Sequence, residues 1–399
     1  MAVAGLFTSM ANAADLYVRD LGAGGAFSTI SAAIAQASNG DRIIIRPKAS
    51  SLPYVENLAI NKSLSFVSET NFSKYILQGA ITIAPAAGRI VTINNLQISG
   101  TGLISIPEET TNGRTTLNLF NSATAGVHTA QTNATLNMSG CTTASINLSH
   151  GRVTGNRVTA ISVTGSVLDS SPSDDDVEII ANAITGSGLG FNMDQKTYAL
   201  RFFNNFVVGY IEISGIKTGT SNEIANNFIQ STTGANLSYY SSINLTLSAN
   251  NPAIFSIVNN VLNYIVSSYV GYRPVYVTGA GVSAYVFYNV SNSNQYTGSF
   301  YVTGLAGSGN NSSSANWTAN TTTFTVSGAA IVNAGNPEED YADIDLSIND
   351  RGPAGGSNAW ANYWPTNAGN KPQVNYLKTP RRIYTGTQEM NAQGAGHSK

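Results

Sequence analysis

Charge, cysteine and histidine are all scarce in this chain. Asp, Glu, Lys and Arg make up 11% of its 399 residues, less than half of the roughly 25% usual in soluble domains. Twenty Lys and Arg against 22 Asp and Glu leave a net charge of -2. That balance argues against a protein that grips nucleic acid through a basic surface. So little Lys and Glu also argues against a coiled coil or helical bundle. The single Cys141 cannot close a disulfide within the chain, so packing and hydrogen bonds must supply stability. No His or Asp lies beside it in sequence, and the thiol reads as a small filler. The three histidines, His128, His150 and His397, lack zinc-ligand spacing. No run of about 18 apolar residues occurs, so no membrane-spanning helix is predicted.

Small polar residues take the place of the missing charge. Asn reaches 44 and Gly 38, with abundant Ser and Thr, while apolar residues stay at 42%, which argues against disorder. Asn-x-Ser/Thr triplets, at Asn133, Asn147, Asn244 and Asn316 among others, are expected by chance in such a composition. Near the start, a short apolar run leads into Ala11-Asn12-Ala13, the small-x-small pattern that precedes a signal-peptidase cut. A basic n-region is missing, so residues 1–13 read as a signal remnant. This predicts a secreted or cell-surface protein.

One helix is predicted. Ile30, Ala33, Ile34 and Ala37 share a helical face, with Ser28 as N-cap and Gly40 as stop. Ile43-Ile44-Ile45 follows as a short strand. Beyond it the chain repeats itself. Thr116-Leu117-Asn118-Leu119 returns as Thr135-Leu136-Asn137-Met138, and Thr124-Ala125-Gly126-Val127 as Thr143-Ala144-Ser145-Ile146. A looser copy starts at Thr159. An apolar–Asn–apolar signature, often with doubled Asn, also recurs. It places Asn156, Asn182, Asn205, Asn227, Asn260 and Asn289 at coil-length intervals, with earlier members at Ile93-Asn94-Asn95-Leu96. A coil of about 20 to 25 residues holding three short strands can stack on the next at about 4.8 Å. Equivalent side chains then form ladders. Asn suits the bend because it tolerates left-handed φ, and its amide can bond the Asn above and below. Its apolar neighbours are expected to face the core.

These features resemble the right-handed parallel β-helix proteins of the pectin-lyase-like superfamily, over roughly residues 15–355. The opening carries the resemblance best: Phe27-Ser28-Thr29-Ile30, the Ala-rich helix, Asn39-Gly40-Asp41 and Tyr54-Val55-Glu56-Asn57-Leu58. The resemblance implies an all-β solenoid whose first coil is capped by the helix, as an exposed end requires. Near the end, Asn333-Ala334-Gly335-Asn336-Pro337, Tyr341-Ala342-Asp343-Ile344-Asp345 and Asn349-Asp350-Arg351-Gly352-Pro353 resemble the terminal coil of exported bacterial surface proteins of the Bacteroidetes type. The implied layout is a strand and capping helix over 14–41, coils over 42–335 and a terminal coil over 336–360. A tail or small β segment occupies 361–399. Trp360, Tyr363 and Trp364 could plug the lower end of the rod.

The superfamily contains polysaccharide lyases, hydrolases and esterases, but their motifs are missing. The paired Gln-Asp and Asp-Phe contexts of pectin methylesterases are absent. His150-Gly151 precedes Asp174-Asp175-Asp176, the reverse of the polygalacturonase order. The nearest approximation to a calcium-dependent lyase site is Asp174, Asp175, Asp176, Asp194, Lys196 and Arg201, with Asp175, Asp194, Lys196 and Arg201 as the catalytic candidates, which would need to converge to abstract a proton. Asp343, Asp345, Asn349 and Asp350 form a second oxygen-rich set. It suits either a structural Ca2+ or hydrogen-bonded turns. Tyr269, Tyr272, Tyr276 and Tyr285 suit either a stacking surface for sugars or proteins or ordinary strand packing.

The sequence therefore predicts an exported, non-enzymatic β-helix with a structural or adhesive role. Its partners would be extracellular or cell-surface proteins or polysaccharides, or further copies of itself in an oligomer or filament. No cofactor is implied apart from the Ca2+ option. A lyase or hydrolase with a divergent site is the alternative.

Overall fold

Short β-branched runs broken by Gly and Asn can bury their apolar side only by stacking on one another. The computed structural model describes residues 13–71, 73–108, 113–129, 134–165, 176–186, 188–231, 241–248, 252–264, 272–279, 281–292, 301–363, 373–378 and 393–397. Thirteen parallel strands form one sheet, from Asp15–Val18 and Arg42–Ile45 through to Leu305–Gly309. A second sheet of 20 strands accompanies it. In the middle it is one strand wide, where Ala123–Thr129, Thr142–Leu148 and Arg157–Thr164 pair. It forks toward both ends. Arg157–Thr164 pairs with both Ala183–Ile184 and Leu189–Asp194, and Ala123–Thr129 with both Leu96–Ser99 and Leu103–Ser105. The chain is thus a parallel β-helix. Its register aligns the sequence repeats, Thr116 on Thr135 and Thr124 on Thr143. The coils extend from Asp15 to Ser313, so they start before and finish sooner than the expected 42–335.

Alternation along each strand sends every second side chain inward. Val153, Ile179, Phe202, Ile224, Ile257 and Val286 are fully buried in one such column. The helix Ile30–Gln36 adds Ile30, Ala33 and Ile34 to the same core. Thr29, not Ser28, is its N-cap, accepting from the Ala32 N–H, and it ends at the Ala37 C-cap rather than at Gly40. Two charges from the next coil bracket it. Glu56 accepts from the Ile30 and Ser31 N–H groups at 2.8 and 2.9 Å. Lys62 donates to the Ile34, Ala35 and Ala37 carbonyls. Both placements oppose the helix dipole.

The bend leaving the first sheet has a two-residue grammar. Its first residue is left-handed: Asn204 at φ 54°, Asn226 at 56° and Asn259 at 58°, with Gly155, Ala181, Tyr288 and Asn310 in equivalent places. Its second residue is buried and hydrogen-bonds the next coil. The N–H of Asn156 donates to Asn182 Oδ1 at 3.0 Å, Asn182 to Asn205 at 2.9 Å and Asn205 to Asn227 at 2.8 Å. The series continues from Asn227 to Asn260, Asn289 and Asn311. Each Nδ2 also donates to a strand-end carbonyl of the preceding coil, as Asn227 does to Phe202 O at 2.9 Å. The two roles expected of a single Asn are therefore divided between two. Asn94-Asn95 is one place out of phase, because there the second Asn is the left-handed residue (φ 57°).

The first Asn of each pair faces outward and holds the C-terminal segment. Asn204 Nδ2 donates to Pro353 and Gly355 carbonyls, and Asn226 Nδ2 to Asp350 O and Asn349 Oδ1. Asn259 Oδ1 accepts from the Asn336 N–H at 2.8 Å. A Cβ on Gly155 would stand 2.3 Å from the Tyr363 carbonyl oxygen, so the segment passes there against bare backbone. Residues 333–363 are thus a strap running back along the flank, where a terminal coil was expected. Trp360 and Tyr363 lie on that flank instead of plugging the end, and Trp364 lies outside the described residues. Beneath the strap is a second core. Phe203, Phe206, Phe228, Val261 and Val290 meet Phe324, Val326, Ile331 and Trp360. The apolar residue after each ladder Asn therefore faces this flank core, not the interior of the rod as the sequence suggested.

Two substitutions separate the two columns. Asn227→Ala removes the bonds that Asn227 makes to the Asn205 N–H and the Phe202 carbonyl, while the Ala225 carbonyl keeps the Asn204 N–H. The substitution is expected to lower stability by about 2 kcal/mol or more in urea unfolding, at about 1–3 kcal/mol per buried unsatisfied group. Asn226→Gly keeps the left-handed bend and removes only strap contacts. Faster proteolysis within 333–363, with the urea midpoint of the rod little changed, is expected.

Candidate functional site

The outer face of the first sheet is the surface most regularly built. Register stacks its outward side chains in one column. Asp15, Arg42, Ser65, Thr92, Asn118 and Asn137 lead to Arg152, Glu178, Arg201 and Glu223, and then to Ser256 and Tyr285. The polar part is self-bonded. Asn118 Nδ2 donates to Thr92 Oγ1 at 3.2 Å and Asn137 Nδ2 to Asn118 Oδ1 at 2.9 Å. The charged part pairs internally. Arg152 bonds Glu178, and Arg201 Nε donates to Asp176 Oδ2 at 2.7 Å. Burial works to lower the Arg201 pKa. The Asp176 bond, with the Asp176, Glu223 and Glu178 charges, outweighs it and holds the pKa raised.

The lyase-like set is not assembled as a unit. Arg201 lies on the first sheet with Asp176. Asp194 ends a strand of the second sheet, paired with Thr164 and Gly215, and Lys196 sits exposed in the turn between the sheets. Asp174 and Asp175 lie outside the described residues. Sequence reasoning picked Arg201 but missed its in-register neighbours Arg152, Glu178 and Glu223. The spacing of coils, once aligned, is the signal that finds them.

The tyrosines divide in the same way. Tyr285 is on the first sheet, 43% exposed. Tyr276 is on the second sheet beneath the Arg273 guanidinium, 5.5 Å from its ring centre. Tyr272 is not a surface residue. It is buried, bonds Ser242 Oγ at 2.7 Å and stacks on Tyr264 at 4.4 Å, and burial raises its pKa well above that of a free phenol. Tyr269 lies outside the described residues.

The C-terminal oxygen-rich set is spent on the strap. Asp343 accepts from the Asp350 and Gly356 N–H groups, Asp345 from the Ser347 N–H and hydroxyl, and Asp350 from the Asn333 N–H. Asn349 bonds Tyr341 O and accepts from Asn226. Burial raises the Asp343 pKa despite its backbone donors, and the Ser347 bonds lower that of Asp345. Among the described residues no group of three or more His, Cys, Asp and Glu side chains could hold a metal.

Two buried polar residues also have defined places. His150 lies against the Tyr198 ring at 4.3 Å, with Thr135 Oγ1 3.2 Å from its Nδ1. Arg114 Nη2 donates to Tyr198 Oη at 2.7 Å. Cys141 is a rung of the Asn column. It donates its N–H to Asn156 Oδ1 at 2.9 Å, and its sulfur accepts from the Ser122 N–H. No protein-family model, no curated protein and no solved structure matches the chain.

Burial pushes the Cys141 thiol pKa up to about 12 from an ordinary 9.0. The thiol therefore stays protonated in the fold, and a disulfide reagent at pH 8 is expected to react only after unfolding. Because the folded pKa is the higher one, this group's stabilisation is complete below the unfolded value and is lost as pH rises from 9.0 toward about 12. Cys141→Ser, which keeps a column hydroxyl like that of Ser122, is expected to remove that alkaline loss in denaturant titrations. Calcium titration is expected to leave Tm unmoved, since Asp343, Asp345 and Asp350 already accept hydrogen bonds within the strap; a concentration-dependent rise would reveal a bound ion.

Proposed function

We propose that the chain is an exported, non-enzymatic β-helix of the pectin-lyase-like kind, with a structural or adhesive role at the cell surface or outside the cell. The observation that carries this reading is the outer column of the first sheet. Its Asn and Thr side chains bond one another, and its three arginines, Arg42, Arg152 and Arg201, are tied to carboxylates on or beside the same sheet. A regular row of this kind offers repeated polar contacts along an extended partner, which suits a polysaccharide or an elongated protein better than one small substrate. The exposed Tyr285 ring adds a stacking surface in line with the row. A low net charge and abundant Asn, Ser and Thr suit a protein that works outside the cell by contact.

A specific observation favours the second reading, a polysaccharide lyase or hydrolase. Arg152, Glu178, Arg201 and Glu223, with Asp176, concentrate charge on one stretch of one sheet in a chain that is otherwise poor in it. Such a group could act on a sugar acid if substrate displaced the internal pairs.

Incubation with plant, algal and bacterial polysaccharides, with and without calcium, separates the two. No new reducing ends are expected, while co-sedimentation with at least one insoluble polysaccharide or cell-envelope fraction is expected and should weaken in Tyr285→Ala. Release of reducing ends that disappears in Arg201→Ala would establish the enzymatic reading.

A further inference from the structure

We infer that the N-terminal end of the rod carries a separate binding site for a sugar unit bearing an anionic group. A cleft of about 360 Å³ opens there, between the edge strand Asp15–Val18, the loop of Gly24 and Gly25, and the exposed Gln36 on the helix. Its size is at the lower end of ligand pockets, which run from roughly 300 to 1,000 Å³, and so fits one ring-sized ligand.

Its chemistry is specific. Tyr17, 39% exposed, supplies an aromatic face of the kind that stacks on the C–H face of a ring. The Arg19 guanidinium lies 5.3 Å from that ring centre and is fixed by Glu69, which accepts from Nε at 3.2 Å and from Nη2 at 2.6 Å. The remaining Nη1 points at the loop: a Cβ on Gly24 would stand 2.9 Å from it. The missing side chain at Gly24 therefore leaves Nη1 open toward the cleft. Glu69 is also shared with Arg46, at 2.8 and 3.0 Å. One carboxylate thus serves two guanidinium groups, and a positive charge is left uncompensated within that cluster. Asp15 adds no free negative charge, because Arg42 bonds both its oxygens at 2.9 and 2.7 Å.

Phe27 closes one side by pairing with the edge strand, its N–H donating to Tyr17 O at 2.8 Å. A carboxylate or sulfate on Nη1, a ring face on Tyr17 and hydroxyls on the Gln36 amide complete the fit. The site is independent of the reading above. It sits on the first of the thirteen strands, while the charged stretch from Arg152 to Glu223 lies six to nine strands further along the sheet.

Ligand-observed NMR with glucuronate, glucose 6-sulfate and glucose tests it. One or both anionic sugars are expected to bind with Kd of about millimolar, and glucose at least about fivefold more weakly. Tyr17→Ala and Gln36→Ala, both on exposed side chains, are expected to weaken binding about fivefold. Arg19→Gln should abolish the preference for the anion. Tyr285→Ala, on a distant coil, should bind as the parent does. A response to one anionic sugar alone would support the site and identify its anion. Equal binding of glucose, binding unchanged by Tyr17→Ala and Gln36→Ala, or no binding of any of the three would overturn the site and leave the polysaccharide co-sedimentation result untouched.

Discussion

The asparagine carboxamide at the bend is the interaction on which the rest of this rod depends. A chain that turns a corner while packed on both sides leaves backbone N–H and C=O groups facing inward, away from water and out of register with any strand. The second residue of each bend answers both. Its Oδ1 takes an N–H from one coil, and its Nδ2 returns a hydrogen bond to a carbonyl of that coil, as between Asn205 and Asn227. Because each amide is satisfied only when the next coil is in register, the column locks coil to coil while closing the corner. Ser122 and Cys141 take the same position in the earlier coils.

The outer half of that bend explains the doubled asparagines. A left-handed residue next to a buried one must point its side chain away from the core, so a second Asn there finds only the outer flank. The strap fills that flank, bonded by Asn204, Asn226 and Asn259 and sealed by Phe206, Phe228 and Trp360. One dipeptide thus holds the inside of the rod and its C-terminal cover together, with no disulfide. It also accounts for Asp343, Asp345 and Asp350, whose carboxylates are occupied in shaping the strap.

Much of the fold could be read from the residues. The repeat spacing aligns Thr116 with Thr135 in the structure, and alternation separates Val153 and Ile179, which face in, from Arg152 and Glu178, which face the outer row. Less of the surface was legible. Arg152, Glu178, Arg201 and Glu223 are 22 to 26 residues apart, with a variable loop between coils, so only correct register makes them neighbours. Tyr272 and Tyr285 look alike in sequence, yet Tyr272, which lies before the strand Val275–Thr278, is buried against Ser242 and Tyr264, while Tyr285 stands on the outer face of the first sheet. Thr29 and Ser28 are equivalent as caps on paper. Glu56 and Lys62, which bracket that helix, are visible only once the next coil lies alongside it.

Local pattern was enough to specify a stack of short parallel strands with asparagine at the corners, because period, composition and the missing charge are all properties of neighbouring residues. Tertiary structure alone decided which Asn of a pair faces in, where the strap lies and which charges share a face. Those outcomes depend on contacts between residues far apart in the chain, as between Asn204 and Gly355, 151 positions apart. No local preference encodes such contacts, since they exist only after the coils have stacked.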